Sequence, residues 1–121
     1  MTTTYIAELD GKTIGKRTSK TRTYAYAIAV GPTPIASKIQ ALTDALHREQ
    51  LCDPSSWLVS YLTRQISELQ AQLHAGITEE GEWGVMSWSS TLPLAEKAAK
   101  TARTATYPGT PVRIVMALKA R

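Results

Sequence analysis

The sequence predicts an α+β fold, one domain over residues 1–121 in the order β-β-β-α-α-β-α-β, with an antiparallel or mixed sheet and a central antiparallel helix pair. Three observations carry this expectation. Strand-like alternation marks both ends of the chain, two long helical stripes fill its middle, and residues with turn chemistry separate the segments.

Thr4 to Leu9 mixes β-branched, aromatic and apolar residues, and Asp10-Gly11 after it suits a tight hairpin turn that demands positive φ. A second strand is expected from Lys12 to about Arg17, with Thr18–Thr21 as the next connection. Arg22 to Val30 then reads as a strand whose Tyr24, Tyr26, Ile28 and Val30 share one face, leaving Thr23, Ala25, Ala27 and Ala29 on a nearly flat opposite face. A helix or another chain can pack closely there.

Gly31-Pro32-Thr33-Pro34 breaks the sheet. Ile35, Ile39, Leu42 and Leu46 follow at helical spacing, with Thr33 as the expected cap and Pro34 at the first helical position. Asp53-Pro54 is expected to open a second helix along Leu58, Tyr61, Leu62, Ile66, Leu69 and Leu73, closed by Gly76. The two stripes suit either coverage of the sheet or packing against the same helix pair of another subunit. Glu79-Glu80-Gly81-Glu82 reads as an acidic turn and Trp83–Ser89 as a strand. Ser90-Thr91-Leu92-Pro93 opens a third helix from Leu94 to about Thr104. Tyr107–Pro111 is a breaker, and Val112–Leu118, apolar on both faces, reads as a central strand.

Composition bounds the function. Hydrophobic residues make up 43% of the chain and charged residues 20%, as in ordinary globular domains. The single cysteine, Cys52, forbids an internal disulfide and fits a reducing cytoplasm. No apolar run reaches the roughly 20 residues of a membrane span, and the opening Met1-Thr2-Thr3-Thr4 lacks the apolar stretch of a secretion signal. The expectation is a soluble protein that stays in the cytosol and contacts no membrane. Net charge is +4, but residues 1–30 carry +3, residues 31–82 carry −4 and residues 83–121 carry +5. Basic ends brought together would attract phosphates.

Catalytic inventory is thin. His47 and Cys52 can be imagined as a thiol–imidazole pair, but one falls near a helix end and the other in the following link. His74 suits a helix C-terminus. Metal-ligand spacing, a Walker motif and a dinucleotide-binding glycine pattern are absent from the sequence. The expectation is a protein without enzymatic activity and without a cofactor or bound metal.

Binding chemistry is richer. From Gly15 to Arg22 the cations Lys16, Arg17, Lys20 and Arg22 alternate with the hydroxyls of Thr18, Ser19 and Thr21, which suits an anion such as phosphate and equally a solvated loop. Ser89, Ser90 and Thr91 precede a helix start, where free N–H groups favour anions and where simple capping explains the same residues. Trp83 and Trp88, five apart, are expected on opposite faces of their strand, one of them free to stack on a base. Arg113 interrupts an apolar strand and needs an anionic partner.

The segments "GKRTSKTRTYAYAIAV" at 15–30 and "WGVMSWSSTLPLAEKAAK" at 83–100, with the opening hairpin, the helix pair and the basic last strand, make the chain resemble the first Thoeris anti-defence family of phage proteins. The resemblance implies a sponge for cyclic ADP-ribose isomers, in some members also for cyclic oligonucleotides, that works as a dimer or higher homo-oligomer with pockets between subunits. It implies an aromatic on adenine, here Trp83 or Trp88, and arginine on the phosphates, here Arg113, with Arg17, Thr18 and Arg22 as further contacts. The chain contains no Asn to serve as that family's asparagine contact. Two other readings fit the same residues: a small basic nucleic-acid-binding protein, and an inhibitor that binds a host protein complex.

Overall fold

The computed structural model describes residues 2–120. It is α+β, and its long elements follow the predicted order. They are β1 (Thr3–Leu9), β2 (Lys12–Ser19), β3 (Tyr26–Val30), α1 (Ile35–Cys52), α2 (Trp57–His74), β6 (Gly84–Ser89), α3 (Leu92–Ala105) and β7 (Val112–Lys119). Two additional two-residue strands, β4 (Thr33–Pro34) and β5 (Glu79–Glu80), pair with each other where an acidic turn was expected. No helix among the described residues is long and apolar enough to cross a membrane.

The chain forms two compact units. One comprises residues up to 32, 82–106 and from 110 onward, and the other residues 33–81 with 107–109. The division also sorts charge: the first unit holds eleven cations and four acids, the second three cations and six acids.

The first unit is a five-stranded antiparallel sheet in the order β2-β1-β7-β3-β6, so β7 is central as its apolar sequence required. Asp10 and Gly11 turn the first hairpin at φ 52° and 79°, the left-handed conformation expected of this pair. The sheet curls until its edge strands β2 and β6 approach, with Gly15 facing Val85 and Trp88. A Cβ at Gly15 would lie 2.6 Å from Val85 Cγ2, so the close approach depends on glycine. On the convex face, α3 presents Ala95, Ala99 and Ala102 to Ile28, with Tyr26, Val30, Val112 and Ile114 packed around them. Small residues at helical spacing bring the helix axis close to the sheet, and the bulk comes from the strands. The concave face holds Tyr5, Ala7, Ala27 and Ala29, all buried. The flat alanine side of β3 therefore lines the inside of the curl, and the helix packs on the bulky side.

The second unit is a helical hairpin. Ile35 N–H donates to Thr78 O at 2.9 Å, and Pro34 occupies the cap position with no side-chain cap, so Thr33 lies in β4 and does not cap α1 as the sequence suggested. Asp53 likewise does not open α2. Its N–H closes α1 on Glu49 O at 2.8 Å and its carboxylate accepts from Ser55, while Ser56 caps α2 by accepting from Leu58 N–H at 3.2 Å. Pro54 after Asp53 fits a helix start, but the Asp53 carboxylate bonds Ser55 within the turn. The far end follows expectation: Gly76 at φ 89° donates to Leu73 O, and Ile77 donates to Gln72 O, a pattern that satisfies terminal carbonyls. Lys38 joins Glu80 at 2.7 Å and lies over the Tyr107 ring, 5.4 Å from its centroid.

Candidate functional site

Two irregularities in the sheet unit build the site. β6 carries a bulge: Ser87 pairs with Ile28 and Val85 with Ala29, leaving Met86 extra. Directly paired residues share a face, so Trp88 opposite Ala27 and Val85 opposite Ala29 both point into the curl although three residues apart. Gly15 facing both side chains is consistent with this. Trp83 lies on the same side, because its ring is against Gly31 and under Arg113, whose Cα partner is Ala29. The expectation of opposite faces for Trp83 and Trp88 fails because the bulge resets the parity between them.

The second irregularity is at 22–25. These residues precede β3, which begins at Tyr26 and not at Arg22, although Ala25 still donates to Ser89 O and accepts from Ala117 N–H. Released from strand alternation, Tyr24 leaves the face of Tyr26 and Ile28. It is buried against Tyr5, edge-to-face with ring centroids 5.4 Å apart, and lies 6.1 Å from Trp88 at 53°. The Tyr5 hydroxyl donates to Arg22 O at 3.4 Å, and Arg22 N–H donates to Ser19 Oγ at 2.9 Å, which fix the turn that carries Arg22.

The result is an open cleft of about 430 Å³ lined by Arg22, Thr23, Tyr24, Trp88, Ser89 and Ser90, with Leu94 from α3. Arg17 extends over the outer edge of the aromatic group, its guanidinium 5.6 Å from the Tyr24 centroid. The α3 start forms one wall, where Thr91 caps by accepting from Leu94 N–H at 3.4 Å. Among the described residues, no carboxylate lines the cleft. Beside the cleft, β1 places Tyr5 between Arg17 on β2 and Lys119 on β7, all three on the concave face, so a cation outside the sequence-predicted set, Lys119, lies next to Tyr5 without lining the cleft. Its signal in the sequence was only the odd-numbered parity it shares with Arg113 on the last strand.

Of the sequence-predicted residues, Arg22, Trp88 and Ser90 line this cleft, and Arg17 borders it through Tyr24. Ser89, from the same expected helix start, lines it beside Ser90, and Tyr24 joins them unforeseen. Thr18 pairs with Thr4 and points to the convex face, and Lys20 is exposed just past β2 outside the cleft lining. Trp83 and Arg113 form their own pair, 5.5 Å from guanidinium carbon to ring centroid, at the opposite end of β3. There Trp83 fills space beside Gly31 and Pro111: a Cβ on Gly31 would lie 2.7 Å from the indole and from the proline ring. Along β3 the partner of Trp88 is Ala27 and that of Arg113 is Ala29, two residues and roughly 7 Å further on.

Chemically, the cleft offers aromatic faces, at least two guanidinium groups and hydroxyls at a helix start, a set that suits a planar group bearing negative charge. Cys52 is exposed at the end of α1, and the described residues hold no cluster of three metal-ligating side chains. Comparison with protein families, with curated proteins and with solved structures returns no match.

Proposed function

We propose that the protein is a non-enzymatic binder of a small anionic nucleotide, seated on Trp88 and Tyr24 with its phosphates toward Arg22, Arg17 and Lys119. The observation that carries this reading is the convergence of two aromatic rings and Arg22 on one open cleft whose lining includes no acid among the described residues. Arginine beside aromatic surface binds base and phosphate together, and a cleft with no carboxylate attracts the anion. The resemblance of residues 15–30 and 83–100 to the first Thoeris anti-defence family supplies the ligand class: a cyclic ADP-ribose isomer, held intact as a sponge in the host cytoplasm by a homo-oligomer.

Calorimetry with purified protein and cyclic ADP-ribose isomers tests the reading, followed by heat denaturation and mass spectrometry of the released ligand. Micromolar or tighter binding, unchanged ligand mass, and at least tenfold weaker binding by Trp88→Ala are expected. No heat with any isomer, or a cleaved product, would refute it.

A second reading draws on the eleven cations of the sheet unit against four acids: a nucleic-acid binder using the same surface. Its affinity for a strand would fall steeply with salt in proportion to the phosphates neutralised. A ligand held mainly by stacking would lose little.

A further inference from the structure

The start of α3 carries hydrogen-bond donors that the protein itself does not use. Ser89, the last residue of β6, is 7% exposed, and it is the one buried polar residue among the described residues. Its carbonyl is held by the Ala25 N–H at 3.0 Å, and its pairing with Tyr26 turns its side chain to the face that α3 covers. The hydroxyl makes no hydrogen bond among the described residues, and no fully shielded side-chain polar atom there lacks a partner. The accessible remainder of Ser89 therefore includes its oxygen, which opens into the cleft that the residue lines.

The backbone continues the pattern. The N–H groups of Ser90, Thr91 and Leu92 have no partner among the described residues. Within the helix the donors are missing or spent: Pro93 has no N–H, Leu94 N–H goes to Thr91 Oγ at 3.4 Å, and Ala95 N–H goes to the Thr91 carbonyl at 3.0 Å. Free donors thus collect in the turn ahead of Pro93, beside the Ser89 hydroxyl.

We propose that the turn Ser89–Leu92 is a subsite for a tetrahedral oxyanion, phosphate or a phosphate ester, distinct from the guanidinium contacts described above. The buried hydroxyl and the three N–H groups stand at the positive end of a 14-residue helix, and together they match the several acceptor oxygens of one phosphate. Arg22 in the same cleft adds positive charge, with no acid in the lining among the described residues. Burying an unpaired hydroxyl costs stability, and a bound oxyanion removes that cost. Free phosphate and the phosphate of a nucleotide present the same oxygens, so the subsite stands without the nucleotide reading.

Titration of the isotope-labelled full chain with sodium phosphate at constant ionic strength, followed by amide NMR, tests this. Saturable shifts at Ser90, Thr91 and Leu92 are expected, with a dissociation constant on the order of 5 mM. Ser89→Ala should weaken binding about fivefold, the loss of one hydrogen bond to a charged group. Ser90→Ala, at an exposed position where the fold is not at risk, should weaken it about twofold. Adenosine monophosphate separates the two sources. If a nucleotide supplies the phosphate, it binds about tenfold tighter than phosphate and Trp88→Ala removes the gain; if free phosphate is the occupant, the two bind alike. Either result supports the subsite, and only the second counts against the nucleotide reading. No saturable shift at residues 90–92 up to about 50 mM phosphate overturns the proposal, and so does an affinity unchanged in both serine variants.

Discussion

The sheet unit and the helical hairpin reach compactness by opposite means. In the sheet unit small residues do the closing: Gly15 at the meeting of the edge strands, Ala7, Ala27 and Ala29 inside the curl, and three alanines of α3 against Ile28. The hairpin has longer apolar side chains, yet of its two 18-residue helices only Ile35, Leu62 and Leu69 are buried. Two helices alone cannot cover their stripes, and the chain leaves Leu51, Trp57 and Tyr61 exposed. Close packing follows from small residues at matched positions across elements. Apolar content alone does not provide it. Two aromatic pairs then diverge in role: Tyr24 and Trp88 of the sheet unit line a cleft, and Trp57 and Tyr61 on the hairpin are exposed.

The comparison can be broken most directly at Ile28, the bulky member of the sheet core. Ile28→Ala should cost about 3 kcal/mol in denaturant unfolding, because the methyl groups of the alanines opposite it are too short to fill the gap. A loss under 1 kcal/mol would mean the α3 interface is not close-packed. Gly31→Ala comes next, at about 2 kcal/mol, since its methyl would meet the Trp83 ring and Pro111. Loss of the tryptophan near-ultraviolet signal on that substitution would sharpen the assignment to Trp83. In the hairpin, Ser56→Ala should cost about 1 kcal/mol of helix stability and Asp53→Ala less, reversing the order the sequence alone suggested. Smallest is Glu80→Gln: the Lys38 pair is partly exposed, with side-chain accessibilities of 21% and 42%, and is expected to contribute about 0.5 kcal/mol or less. The pair should also weaken as salt rises.

The candidate site was half legible in the sequence. Arg22, Trp88 and Ser90 stood out because cations, tryptophan and hydroxyls before a helix carry chemistry wherever they fall. Period-two alternation puts Tyr24 on the face of Ile28, and no local pattern singles out Lys119. Trp83 and Arg113 were grouped with Trp88, whereas they pair with each other at the far end of β3. Each of these differences comes from the register between strands, which the chain does not encode locally.

By itself the sequence determined the α+β class, the order of the long elements, the Asp10-Gly11 hairpin turn, the Gly76 helix stop and the central place of Val112–Lys119. These depend on a residue and its near neighbours: positive φ at glycine, apolar spacing along a helix, and a strand apolar on both faces. Only the tertiary structure decided which face each aromatic takes. One extra residue in β6 and four residues that stay out of β3 turn Trp88 and Tyr24 toward each other. The physical reason is that a β-strand has a period of two, so a single bulge, fixed by pairing with strands distant in the chain, reverses every side chain beyond it.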